Sequence, residues 1–185
     1  MNQHLIKSLS ELNEWLKTKN KTITLHVIGG LALVLQGLNI KRTTGDVDNV
    51  NPIIDNEVIA KIYEIGDKNG TPDWFDFGAT TLTLPYGYIS RLVRTEGMSN
   101  IEMYVLHKRD LVVLKVAAYF SRRHRGVIRD LEDLVVLNPT FEEVCNGLDF
   151  IVQEYGVNQQ LPSQFLNDLS QEVAKLKEEF SAIFK

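Results

Sequence analysis

A chain of 185 residues, 44% hydrophobic and 24% charged, has the make-up of a folded globular protein and excludes global disorder. A formal net charge of −4 offers no general attraction for nucleic acid, so only a local basic patch can serve that purpose. The single cysteine, Cys145, excludes an internal disulfide and a multi-cysteine zinc site, and reads as a small buried hydrophobe.

The opening "MNQHLIKSLSELNEWLKTKN" lacks the continuous apolar stretch of a signal peptide. It places Leu5, Leu9, Leu12 and Leu16 at helical spacing, with Trp15 beside the stripe as a core residue. "TITLHVI", from Thr22 to Ile28, is a short β-branched strand that Gly29 and Gly30 punctuate. "LALVLQGL" is apolar on nearly every side and reads as a short buried helix stopped near Gly37. "GDVDNVNPIID" begins a second strand, limited by Pro52, and "NEVIAKIYEIGDKNG" is a helix that ends at Asn69-Gly70.

From Thr71 to Asn100 the pattern is strand- and turn-like, with "ATTLTLP" and "YISRLV" as candidate strands. "IEMYVL", from Ile101 to Leu106, alternates as a half-buried strand does. The remainder is helical: "KRDLVVLKVAAYFSRR", "IRDLEDLVVL", a helix after Thr140 and a long one near Pro162. Val173, Leu176, Phe180 and Ile183 lie along one face of that last helix, which packs on its own domain or on a second subunit, the former being the expectation. The apolar run around Lys115 is too short for a bilayer, so no membrane span is expected and the protein reads as soluble and cytoplasmic. The expected architecture is α+β with an α/β-like start: a domain over residues 1–137 and a helical segment, 138–185, packed on it.

The chemistry concentrates in two places. In a strand, Asp46 and Asp48 share a face, roughly 7 Å apart at Cα, with Val47 opposite. Mg²⁺ favours one or two carboxylates completed by phosphate oxygens, and would remove the repulsion between these two. Gly29 and Gly30, at a strand-to-helix turn, either serve the tight turn alone or also let a phosphate approach the backbone without a Cβ in the way. With Arg42 and Thr44 between the two motifs, this is an arrangement suited to metal-assisted nucleotidyl transfer.

Glu102 shares a face with Tyr104 and is the leading third acid if its strand neighbours the others, with Asp76 second. Lys115 snorkels to solvent, meets a triphosphate, or pairs with Asp130 or Asp133 of the following helix. Arg122, Arg123, Arg125 and Arg129 make the one basic cluster able to reach nucleic-acid phosphates, though clusters of this kind are usually solvated helix ends. His26 is read as packed inside its strand, and no histidine pair has ligand spacing.

In this order the motifs resemble the minimal nucleotidyltransferases of the DNA polymerase beta-like superfamily, with the closest likeness to the AbiEii-type toxin group. The resemblance rests on Gly29-Gly30, then Arg42, Thr44, Asp46, Val47 and Asp48, then Glu102 and Tyr104, Asp110-Leu111, Lys115, and Arg129-Asp130-Leu131-Glu132-Asp133. It implies a mixed sheet flanked by helices, Mg²⁺ or Mn²⁺ on Asp46 and Asp48, NTP phosphates near Gly29-Gly30, and a nucleotide contact from Lys115. It further implies transfer of a nucleoside monophosphate to a hydroxyl of RNA (tRNA) or protein, and a cognate antitoxin as partner. A catalytically weak relative that binds nucleotide or a partner without transfer is the alternative.

Overall fold

The leucine stripe of the first segment forms α1 (Gln3–Thr18) in a computed structural model that describes residues 2–40, 42–157 and 162–184. Leu5, Leu9, Leu12 and Leu16 are buried on one side of it, and Asn2 caps its start by accepting the His4 N–H at 3.1 Å. Trp15 is only half-buried, with the Lys19 ammonium 5.7 Å from its ring centre. β1 (Ile23–Val27) follows and turns directly into α2 (Gly29–Leu35). β2 is Val47–Asp48, and α3 (Asn56–Asn69) is capped by Asp55 at one end and by left-handed Gly70 at the other.

β3 (Phe75–Asp76), β4 (Val93–Arg94) and β5 (Ile101–Val105) complete the strands of the described residues. β1 pairs in parallel with β5, and β4 is antiparallel to β5 on its far side. β2 pairs in parallel with β3, and a single antiparallel bridge, Val27 to Asn49, joins that ribbon to β1. Ile23, Leu25 and Val27 of β1 and Ile101, Met103 and Val105 of β5 are buried, while Thr24, His26, Glu102 and Tyr104 are half-buried on the other face. The sheet therefore has one closed face and one partly open face.

The two strands expected in the middle of the chain are corrected by the structure. "ATTLTLP" instead holds a 3₁₀ turn, Gly78–Thr81, and "YISRLV" holds another, Tyr88–Arg91, before the two-residue β4. The cause is local competition for backbone groups. Asp76 accepts the Gly78 N–H at 2.7 Å, and the Thr80 hydroxyl donates to the Phe77 carbonyl at 2.9 Å. Leu82 of the first segment is exposed, whereas Ala79 is buried.

Beyond Leu106 the chain is helical: α4 (Lys108–Arg122), α5 (Arg129–Leu137), α6 (Phe141–Ile151) and α7 (Ser163–Ile183). A reciprocal capping box between Thr140 and Glu143 starts α6. Gly147 of α6 lies against α4, so close that a Cβ there would be 2.9 Å from the Val116 Cβ. Leu169, Val173, Leu176 and Phe180 are the buried face of α7, whereas Ile183, at its last position, is exposed. Cys145 is half-buried, and its burial pushes the thiol above its ordinary range.

The molecule is α+β, in two compact units: Met1–Leu82 with Tyr88–His107, and Thr83–Gly87 with Lys108–Lys185. The units part at Lys108, within the first domain as the sequence divides it. No helix of the described residues is long and apolar enough to cross a membrane.

Candidate nucleotide site

β1 must end abruptly for α2 to begin one residue later, and Gly29 makes that possible with a φ of +64°. Its missing side chain also makes room. A Cβ at Gly29 would fall 1.7 Å from Oδ2 of Asp48, so the carboxylate rests directly over the glycine. At Gly30 a Cβ would lie 2.7 Å from Thr44 Oγ1 and 2.9 Å from Arg42 Nη1. Asp48 at the end of β2, and Thr44 and Arg42 in the segment before it, thus converge on the two glycines.

That return is held in place by side chains the sequence reading passed over. The Ile28 N–H donates to the Asp48 carbonyl at 3.0 Å, and the Val50 N–H to the His26 carbonyl at 3.0 Å. Between these bonds buried Asn49 accepts the His26 N–H at 2.9 Å on its Oδ1 and donates to the Asn51 carbonyl. Asn51 in turn donates to the Thr24 carbonyl at 2.7 Å. Two asparagine side chains therefore take the place of ladder bonds, which is why β2 needs only two residues to stay beside β1. The signal in sequence is Asn49-Val50-Asn51-Pro52, polar residues that spend their donors and acceptors on backbone just before a strand-ending proline.

Of the two acids expected in one strand, Asp48 is in β2 and Asp46 lies just before it. Val47 is buried, Asp46 is exposed and Asp48 is half-buried, so the two carboxylates are not both sunk beside the core. Thr44 is 1% exposed and its Oγ1 has no hydrogen-bond partner among the described residues. An orphaned hydroxyl beside Gly30 is costly unless something outside the chain meets it.

The structure separates the two candidate third acids. Thr24 is the register partner of Glu102, whereas Asp48 lies opposite Ile28, four residues further along β1. At about 3.3 Å per residue that is roughly 13 Å along the strand. Glu102 instead accepts from the Thr24 hydroxyl at 3.3 Å and pairs with Arg94 at 3.5 Å. Asp76 is the register partner of Asp48 across β2 and β3, on the adjacent strand and the same face. It is exposed, and its Oδ1 is held by the Gly78 N–H at 2.7 Å.

Lys115, Asp130 and Asp133 belong to the helical unit, where they form a cluster of their own. Lys115 Nζ is 2.6 Å from Asp133 Oδ2 and 3.3 Å from Asp130 Oδ1, with all three side chains buried. Arg122 approaches Asp130 at 2.9 Å and completes a charge-balanced group between α4 and α5. The pairing expected of Lys115 with the following helix is present, to both Asp130 and Asp133. The basic cluster is partly spent as well, since Arg123 pairs with Glu172 at 3.0 Å and lies over the Phe120 ring.

His26 lies on the partly open face, between the rings of Tyr88 and Tyr104 at 6.1 and 6.0 Å, both edge-on. Its Nδ1 is buried without a hydrogen-bond partner among the described residues, and burial holds the imidazole below its ordinary pKa. Burial likewise pushes the Tyr88 phenol up.

A family model described as "Nucleotidyltransferase of unknown function (DUF6036)" matches residues 3–138, most of the chain and the whole of this site. No curated protein and no solved structure matches.

Proposed function

Since the chain belongs to the nucleotidyltransferases of unknown function grouped as DUF6036, we propose that Gly29-Gly30 and the Asp46-Val47-Asp48 strand end form its nucleotide site. The observation that carries this reading is the convergence of the Asp48 carboxylate, the Thr44 hydroxyl and the Arg42 guanidinium on two glycines that leave no Cβ between them. Gly29 and Gly30 admit phosphate oxygens to the backbone. Arg42 supplies a planar cation that matches phosphate geometry, and the buried Thr44 hydroxyl gains the partner it lacks.

Asp46 and Asp48 suit Mg²⁺, or Mn²⁺, which takes one or two carboxylates together with substrate phosphate oxygens. When bound, such a metal neutralises charge on the phosphates and orients them for displacement. The transfer itself conserves its atoms simply. An acceptor hydroxyl oxygen bonds to the α-phosphorus of an NTP, the bond from that phosphorus to the bridging oxygen breaks, pyrophosphate leaves, and the hydroxyl proton passes to solvent. RNA, including tRNA, or protein provides the hydroxyl, and a toxin role with a cognate antitoxin follows from the likeness to the AbiEii-type group.

A second reading, nucleotide binding with little turnover, draws support from the third acid. Glu102 stands far down the strand, and the Asp76 carboxylate is tied to Gly78. Thermal unfolding with Mg²⁺ and each NTP tests the site common to both readings. A ligand at a hundredfold excess over its Kd stabilises by about 2.7 kcal/mol, a rise of several degrees in Tm for a chain of this size. The rise is expected in the native protein and absent in Asp48→Ala. An equal rise in both proteins, or none in either, contradicts the assignment.

A further inference from the structure

Resting on that nucleotide site, we propose that the partly open sheet face beside Asp48 seats the 3′-terminal nucleotides of a single-stranded RNA acceptor. Tyr104 and His26 stack on its bases and Arg94 meets its backbone phosphate. The register lines these residues up across neighbouring strands. His26 of β1 is paired with Tyr104 of β5, and Tyr104 is paired with Arg94 of β4. On the other side of His26 lies β2, where Asp48 is its diagonal neighbour through the bond between Ile28 and Asp48. Directly paired residues share a face, so the row runs from a metal-binding acid through two aromatic rings to a cation. With strands about 4.8 Å apart, His26 and Arg94 are about 10 Å from one another.

The rings are not needed to close the core. Leu25, Val27, Met103 and Val105 on the opposite face are each 5% exposed or less, while His26 and Tyr104 remain half-buried. Burial lowers the imidazole's pKa, which favours its uncharged form, and the ring is flat like the phenol beside it. Arg94 is 68% exposed and its 3.5 Å pairing with Glu102 is loose, so a phosphate displaces little. Beyond it the turn between β4 and β5 borders a shallow, open groove lined by Arg94, Thr95, Ser99 and Glu102.

These features select among acceptors. Every base has a face on which aromatic side chains stack, and unpaired RNA ends expose it. A serine or threonine of a protein acceptor offers neither a plane for Tyr104 nor a phosphate for Arg94.

The test is fluorescence anisotropy of a short, unstructured, 5′-labelled RNA with a free 3′ hydroxyl, titrated with the full chain in the absence of NTP and metal. Failure of the nucleotide site therefore leaves this binding measurable, and the reverse holds for the thermal experiment above. Saturable binding is expected, weakened about tenfold by Tyr104→Leu and retained by Tyr104→Phe. Arg94→Gln, at an exposed position that folding does not need, weakens binding and lowers the slope of log affinity against log salt by about one. RNA binding that is absent in the native protein overturns the proposal. So does an Arg94→Gln protein that binds as tightly as the native one with the same salt slope.

Discussion

At position 29 a carboxylate occupies the space that any side chain would fill. Asp48 Oδ2 lies 1.7 Å from where the Cβ would be, and the backbone there is left-handed, so two independent constraints require glycine. Gly29→Ala must adopt a conformation costing about 1–2 kcal/mol and must also push the carboxylate off the turn. The expected result is a modest loss of stability in urea and complete loss of the Tm rise with Mg²⁺ and NTP. An alanine variant that keeps the full rise would show that Asp48 need not rest on the turn to hold the metal. Thr44 teaches the same lesson from the other side, as a hydroxyl buried at 1% exposure with nothing in the described chain to satisfy it. Both residues make sense as parts of a site completed by a ligand.

Among elements, close approach matters more than propensity. A Cβ at Gly147 would meet the Val116 Cβ at 2.9 Å, so α6 can cross α4 only with glycine at that point. Gly147→Val gains less than 1 kcal/mol of helix propensity but forces two buried helices apart, at about 1–3 kcal/mol. A lower urea midpoint is expected, and an unchanged or higher one would mean that the helices yield freely. Elements of this length were legible in the sequence. The Asp55 and Gly70 signals bracket α3, the alternation of residues 101–105 gives β5, and Thr140 starts α6. The region from 71 to 100 was not legible, because two-residue strands show no period and Asp76 and Thr80 bind local backbone instead. The glycines and the two acids of the site were visible as residue types at suggestive spacing. The partner of Glu102 was not, since its contact with Thr24 joins residues 78 apart in sequence. Only the register shows that Asp76, ranked second, is the acid beside Asp48.

At the scale of the whole molecule, two units contribute differently. The sheet-bearing unit contains Gly29, Gly30, Arg42, Thr44, Asp46, Asp48 and Asp76, while the helical unit contains the buried group of Lys115, Asp130 and Asp133 with the partly exposed Arg122 at its edge. Charges so buried are tolerated because each has an opposite partner, and they serve the packing of α4 against α5. The central claim therefore concerns the first unit, that its glycine turn and strand-end acids transfer a nucleotide. The most direct measurement is incubation of the protein with Mg²⁺, each α-labelled NTP, total RNA and a protein extract, beside Asp46→Ala, Asp48→Ala, Asp76→Ala and Glu102→Gln. The expected result is label on RNA that disappears in Asp46→Ala and Asp48→Ala, falls strongly in Asp76→Ala, and persists in Glu102→Gln. Label that survives in Asp48→Ala, or a folded native protein that transfers none, would contradict it.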